Sequence, residues 1–245
     1  MVKLLPATFK WVPKLDDVIK ISGLHPSRVF NVTIFGSRVY GNYDSASDWD
    51  IIIVANNSVE AIELKETVQD EYSYNMNHRF ITYNIHIYTP DRFQKDLDWH
   101  RMNNLECIFA PDWAKLKEDK KYEFNLDLKK LRHASSHISS NSWIKCKKKL
   151  LIDDQYRTAI KSFYHSIRIP MFATQIARSG RITDFTTANF IWRRLMFEEE
   201  AVYDPKTYLP IYRTIERKWN WESLNLEFKI TYNLMLSLFR KVTDK

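Results

Sequence analysis

Two short apolar runs, VFNVTIF at residues 29–35 and DIIIVA at residues 50–55, are joined by a loop that opens on Gly36-Ser37 and closes on Asp48-Trp49-Asp50. The first run is β-branched and aromatic, the composition of a pleated surface, and predicts a strand. The second is apolar enough to be a strand buried on both faces. The loop between them, GNYDSAS, is rich in turn formers. The chain has only four glycines in 245 residues, and two of them, Gly36 and Gly41, lie within this one loop. A chain so sparing of glycine uses it where the backbone geometry demands it.

The loop also concentrates oxygen chemistry. Ten residues separate Ser37 from Asp48, and Asp50 follows two later. On an extended chain Asp48 and Asp50 point to one side and Trp49 to the other. Two carboxylates on one side, at the entrance to a buried strand, repel each other unless a cation lies between them. Mg²⁺ takes oxygen ligands from one or two carboxylates together with substrate phosphates. Gly36 lets the backbone approach a phosphate, and Ser37 can donate a hydroxyl hydrogen bond to it. These are the requirements of phosphoryl transfer assisted by metal ions.

Other elements follow from periodicity. Leu15 to Ile21 has helical apolar spacing and ends at Gly23. Ser58 to Tyr72 predicts a helix. Phe80 to Tyr88 predicts a third strand, with Tyr83, Ile85 and Ile87 on one face and Thr82, Asn84, His86 and Tyr88 on the other. Thr89-Pro90-Asp91 predicts a helix start. Beyond Pro111 strand signals fade, and Leu126–Ile138, Asp153–Arg178, Asp184–Glu199 and Glu222–Val242 predict helices. The expected fold class is α+β: an N-terminal domain over residues 1–110 and a helical, substrate-binding C-terminal domain over residues 111–245. Tyr156, Phe163, Tyr164 and Phe172, at helical spacing, are candidate core residues.

Charge divides the chain. Residues 1–110 hold 11 Lys+Arg against 14 Asp+Glu, whereas residues 121–181 hold 13 against 4. The basic block suggests a polyanionic partner, and Lys145, Lys147, Lys148 and Lys149 could follow a phosphate backbone such as that of RNA. These four lie too close together to share one helical face, which places them around a helix end or a turn. Two isolated cysteines, Cys107 and Cys146, form neither a disulfide framework nor a zinc site, and a reducing compartment is expected. The sequence shows no signal peptide and no apolar run long enough to span a membrane, so the expectation is a cytoplasmic protein without membrane attachment.

The stretch VFNVTIFGSRVYGNYDSASDWDIIIVA, residues 29–55, resembles the nucleotidyltransferase superfamily of DNA polymerase β, and more narrowly its minimal, stand-alone members. The resemblance implies a mixed sheet. It implies that Gly36 and Ser37 hold the triphosphate of an NTP, and that Arg38 sits near the phosphates or supports the loop. It implies that Asp48 and Asp50 bind Mg²⁺ or Mn²⁺. The reaction implied is transfer of a nucleoside monophosphate from an NTP to a hydroxyl of RNA, protein or a small molecule, releasing pyrophosphate. The family's third carboxylate, on a later strand, corresponds here to Asn84, with His86 next on the same face. Asparagine can ligate a metal but cannot accept a proton, whereas His86 could serve as a base. That departure leaves open a non-catalytic relative that binds nucleotide or RNA. A third possibility is a toxin–antitoxin-type module, because Arg132 and His137, with four residues between them, are similar to the spaced pair of HEPN-type ribonuclease domains.

Overall fold

A computed structural model describes residues 12–43, 47–56, 71–78, 81–203 and 210–244. The chain divides into two compact units, one ending at Leu131 and the other beginning at Arg132. The class is α+β, with a sheet in each unit.

The first unit is built on a five-stranded sheet in the order β3-β4-β2-β1-β5. Its strands are β1 (Val29–Phe35), β2 (Trp49–Ala55), β3 (Glu71–His78), β4 (Ile81–Tyr88) and β5 (Lys115–Glu118). β1 and β2 are antiparallel, whereas β2 and β4 are parallel and β3 intervenes in the chain between them. The sheet is therefore mixed. β2 occupies the centre, which explains its unbroken apolar run: Ile51, Ile52, Ile53, Val54 and Ala55 are all buried. Three helices with apolar faces belong to the described part of the unit. They are α1 (Leu15–Ser22), which closes at Gly23 in the left-handed conformation, α3 (Pro90–Asp98) and α4 (Met102–Ile108). Thr89 caps α3 by accepting a hydrogen bond from the Arg92 amide at 3.2 Å, with Pro90 in the first turn. A single helical turn, α2 (Ser37–Tyr40), lies between β1 and β2.

Two expectations need adjustment in this unit. The helix expected over Ser58–Tyr72 falls mostly outside the described residues, and its last residues, Glu71 and Tyr72, belong to β3. Strands do not end at Pro111, because β5 pairs antiparallel with β1. Its sequence, KLKE, has no apolar run to announce it. It is pinned from the side by Asn31, whose amide donates to the Lys120 carbonyl at 2.8 Å and whose carbonyl accepts from the Lys120 amide at 3.0 Å. The first unit accordingly extends past residue 110 to Leu131.

The second unit contains most of α5 (Leu128–Leu151), then α6 (Tyr156–Ser179), α7 (Asn189–Met196) and α8 (Trp221–Thr243). Its core joins Phe163, Tyr164 and Ile167 of α6 to Ile191 and Leu195 of α7 and to Leu224, Phe228 and Leu236 of α8. Phe163, Tyr164 and Phe172 are buried as anticipated, while Tyr156 is half-buried and bridges, donating to the Arg217 carbonyl and accepting from the Trp219 amide. The helix expected over Asp184–Glu199 is corrected. It stops at Met196 and continues as β6 (Phe197–Tyr203), which forms an antiparallel hairpin with β7 (Pro210–Glu216). Three consecutive glutamates, residues 198–200, are depleted in strands and common in helices, so local preference pointed the wrong way and tertiary pairing overrode it.

Candidate active site

The site forms where β1 hands over to β2. Phe35, the last residue of β1, pairs with Asp50, and the chain leaves the strand through Gly36 at φ 78°, ψ −159°. That backbone conformation is essentially restricted to glycine. A second constraint coincides with it: a Cβ at Gly36 would lie 2.1 Å from Asp50 Oδ2. Gly36 is thus required both to make the turn and to leave room for the carboxylate. Ser37 begins α2, and Gly41, at φ 80°, ends it one turn later.

Arg38 returns from α2 to hold the far end of the loop. Its Nε donates to the Asp48 carbonyl at 3.2 Å, its guanidinium also donates to the Ser47 carbonyl, and the group lies 4.2 Å from the Trp49 ring centroid. Of the two roles considered for Arg38, these contacts are those of loop support. Trp49 is buried while its neighbours Asp48 and Asp50 are half-buried, the alternation expected of an extended chain with both carboxylates on the opposite side.

Asn84 sits directly beside Asp50, because the parallel β2–β4 register pairs these two residues. Its Nδ2 donates to Asp50 Oδ1 at 3.0 Å. His86, two residues along the same face, is half-buried and meets the Phe35 ring edge-on at 5.9 Å. The fold therefore brings Gly36, Asp50 and Asn84 together where the end of β1 and the start of β2 lie beside the middle of β4, with His86 two residues further along β4 and Asp48 one step before β2. α2 is anchored by a contact the sequence did not suggest: Tyr40 donates to the carboxylate of Glu106, a buried residue of α4. Nothing in MNNLECI distinguishes that glutamate from a solvent-facing one, and the two residues are 66 apart in the chain.

The donor set suits a hard cation. Among the described residues there is no group of three or more His, Cys, Asp or Glu side chains able to enclose a metal ion. Asp48 and Asp50, both half-buried, are the residues that could hold Mg²⁺, which takes one or two protein carboxylates and completes its shell with phosphate and water.

The remaining candidates belong to the second unit. Arg132 pairs with Asp244, and His137 stands 2.9 Å from the Asn141 amide. Lys145, Lys147, Lys148 and Lys149 occupy the last turns of α5. The first three are exposed, and Lys149 bonds Asp153 at 2.9 Å. Among the described residues no helix is long and apolar enough to cross a membrane.

Comparison with known proteins agrees with the motif. The model of the nucleotidyltransferase domain family matches residues 18–160, more than half of the chain. The chain belongs to that family. No curated protein matches it. A nucleotidyltransferase-like protein from Exiguobacterium sibiricum aligns over 93% of this chain and 72% of its own, at 7% identity and a TM-score of 0.33. An aminoglycoside 6-adenyltransferase from Bacillus subtilis aligns over 94% of this chain and 87% of its own, at 12% identity and a TM-score of 0.24. Nucleotidyl transfer is the general chemistry of the family, and substrate identity is a separate matter.

Proposed function

We propose that this protein is a Mg²⁺- or Mn²⁺-dependent nucleotidyltransferase of the cytoplasm that moves a nucleoside monophosphate from an NTP to a hydroxyl, with a polyanion such as RNA as the preferred acceptor. The observation that carries the proposal is the close packing of Gly36 against the Asp50 carboxylate, which ties the loop leaving β1 to the carboxylate at the start of β2. Asp48 and Asp50 would hold the cation, which when bound offsets the charge of the phosphates against the incoming oxygen. Gly36 and Ser37 would seat the triphosphate. Arg38 keeps the loop closed so that Asp48 and Asp50 enter β2 in fixed positions. Asn84 orients Asp50 through its amide. His86 would take the proton of the acceptor hydroxyl, whose oxygen then bonds the α-phosphorus as pyrophosphate leaves.

One observation favours a second reading. Asn84 fills the place beside Asp50 with a group that cannot accept a proton, which suits a protein that binds NTP with little turnover. Radiolabelled transfer from each NTP to cellular RNA and to protein, alongside calorimetric NTP binding, separates the two. Metal-dependent transfer that disappears in Asp48→Ala/Asp50→Ala supports the enzyme. Metal-dependent binding without transfer supports the second reading, and Asn84→Asp should then restore transfer. Absence of NTP binding by the folded wild type would overturn both.

A further inference from the structure

The last helix, α8, is apolar on two opposite sides. Leu224, Phe228, Tyr232 and Leu236 are buried in the core of the second unit. Two residues further on at each step, about 200° around the helix, run Leu226, Ile230, Leu234 and Leu238, which are 83, 80, 52 and 41% exposed. They form a single row at four-residue spacing, about 18 Å long. No charged residue occurs from Ile230 to Phe239. A solvated helix face would place lysine and glutamate there; this one has Thr231, Asn233 and Ser237 beside its aliphatic row. Contiguous exposed aliphatic surface of this kind marks an interaction site.

We infer that this face of α8 binds the same face of a second copy, with the two helices antiparallel. A row at four-residue spacing is self-complementary: two such ridges interdigitate at a crossing angle of about −50°, the commonest helix packing. A two-fold axis near Tyr232 sets Leu226 against the partner's Leu238 and Ile230 against the partner's Leu234, an isologous contact. The charges at the helix ends select the same arrangement. Glu222 lies in the first turn, and Arg240 and Lys241 lie in the last. Antiparallel pairing brings the acidic end of each helix to the basic end of the other, and it opposes the helix dipoles favourably. An anionic membrane surface would instead call for basic residues at both ends. The four aliphatic residues do not by themselves reach the roughly 800 Å² each partner of a stable dimer contributes. Asn225, Lys229, Asn233 and Ser237 flank the row and extend the contact.

The test is sedimentation velocity of the full chain over a range of concentrations. The wild type should show a concentration-dependent dimer. Ile230→Glu should weaken it at least about 30-fold, as for a residue at an interface centre, with unchanged circular dichroism, since Ile230 is 80% exposed and outside the core. Glu222→Lys should also weaken the dimer, and adding Arg240→Glu and Lys241→Glu to it should restore association. Asn233→Cys, beside the two-fold axis, should form an intermolecular disulfide, because the native Cys107 and Cys146 are buried. A wild type that is monomeric throughout, or a dimer indifferent to Ile230→Glu, would overturn the proposal. So would a monomer that binds phosphatidylserine vesicles through this face and loses that binding in Ile230→Glu.

Discussion

Gly36 is the residue on which the site turns, because two independent demands meet there. Replacing it with alanine puts a side chain into a backbone region that costs about 1–3 kcal/mol for any other residue, and drives a methyl group into Asp50. Gly36→Ala should therefore reduce metal-dependent nucleotide binding by at least about tenfold, or ~1.4 kcal/mol, when measured by calorimetry. Gly23→Ala is the control, since Gly23 has a similar φ of 71° but open space around its absent Cβ. It should lower stability and leave binding intact. A different residue links the stability of the fold to pH. His165 is pushed down to about 3 by burial, then by Arg168 and Lys145, and its Nδ1 stands 2.7 Å from the Arg168 guanidinium. The neutral ring accepts that hydrogen bond, and a protonated one could not. Because its folded pKa is depressed, the folded chain resists a proton that the unfolded chain accepts below about 6.5. His165 thus contributes stability in full above pH 6.5, and that contribution declines as pH falls towards 3. His100, also lowered chiefly by burial, acts in the same direction. Thermal unfolding from pH 7 to pH 4 should show a falling midpoint that is shallower in His165→Gln, which keeps an acceptor for Arg168 and does not titrate. At this scale the sequence disclosed residues whose chemistry dictates their type, such as Gly36, Asp48 and Asp50. It concealed Tyr40 with Glu106, and Arg38 with the Ser47 carbonyl, because such partners are chosen by the fold rather than by neighbouring residues.

Among the elements, α6 contains a proline, and the helix runs from Tyr156 through Pro170 to Ser179, as the helix expected over Asp153–Arg178 does. Proline lacks the amide that would bond the carbonyl four residues earlier. That carbonyl belongs to Ser166, and the Ser139 hydroxyl of α5 supplies the missing hydrogen bond at 2.6 Å in the buried interface between the two helices. Ser139→Ala should cost about 1–3 kcal/mol by leaving a buried acceptor unsatisfied. In a Pro170→Ala background, where the helix provides its own donor, the same change should cost less than half as much. A double-mutant cycle by urea denaturation measures the coupling, and strictly additive effects would show that Ser139 matters for some other reason. The same contrast explains which elements were legible. Strands β1 and β2 and helices α1, α3, α6 and α8 declare themselves by periodicity or caps, because a buried face imposes apolar residues at fixed intervals. β5 and the β6–β7 hairpin do not, since KLKE and FEEEAVY owe their conformation to the strand paired beside them.

Over the whole molecule the charge is +7, but it is gathered rather than spread. The first 110 residues are net acidic, with 14 Asp+Glu against 11 Lys+Arg, and Asp48 and Asp50 of the candidate site are among those carboxylates. Net acidity there disfavours nucleic acid, so the proposed polyanionic acceptor would be held elsewhere on the chain. Residues 121–181, with 13 Lys+Arg against 4 Asp+Glu, are where that can happen. Within them Lys145, Lys147 and Lys148 are exposed on the last turns of α5, and Lys149 is partly neutralised by Asp153. At about 100° per residue Lys145, Lys148 and Lys149 share one side of α5 while Lys147 lies on the opposite side, so a phosphate chain met from one side engages at most three of them. Each phosphate neutralised releases counterions, so the logarithm of the binding constant should fall against the logarithm of salt concentration with a slope of about −0.7 per contact on a single strand. Changing the four lysines to glutamine should make that slope shallower by about 0.7 for each lysine engaged. Lys149 should contribute least because Asp153 already occupies it. Fluorescence anisotropy of a labelled single-stranded RNA at several salt concentrations reads both quantities. A wild type without salt-dependent RNA binding, or a quadruple variant of unchanged slope, would make the basic block a solvated surface and turn attention to a protein or small-molecule hydroxyl as the acceptor.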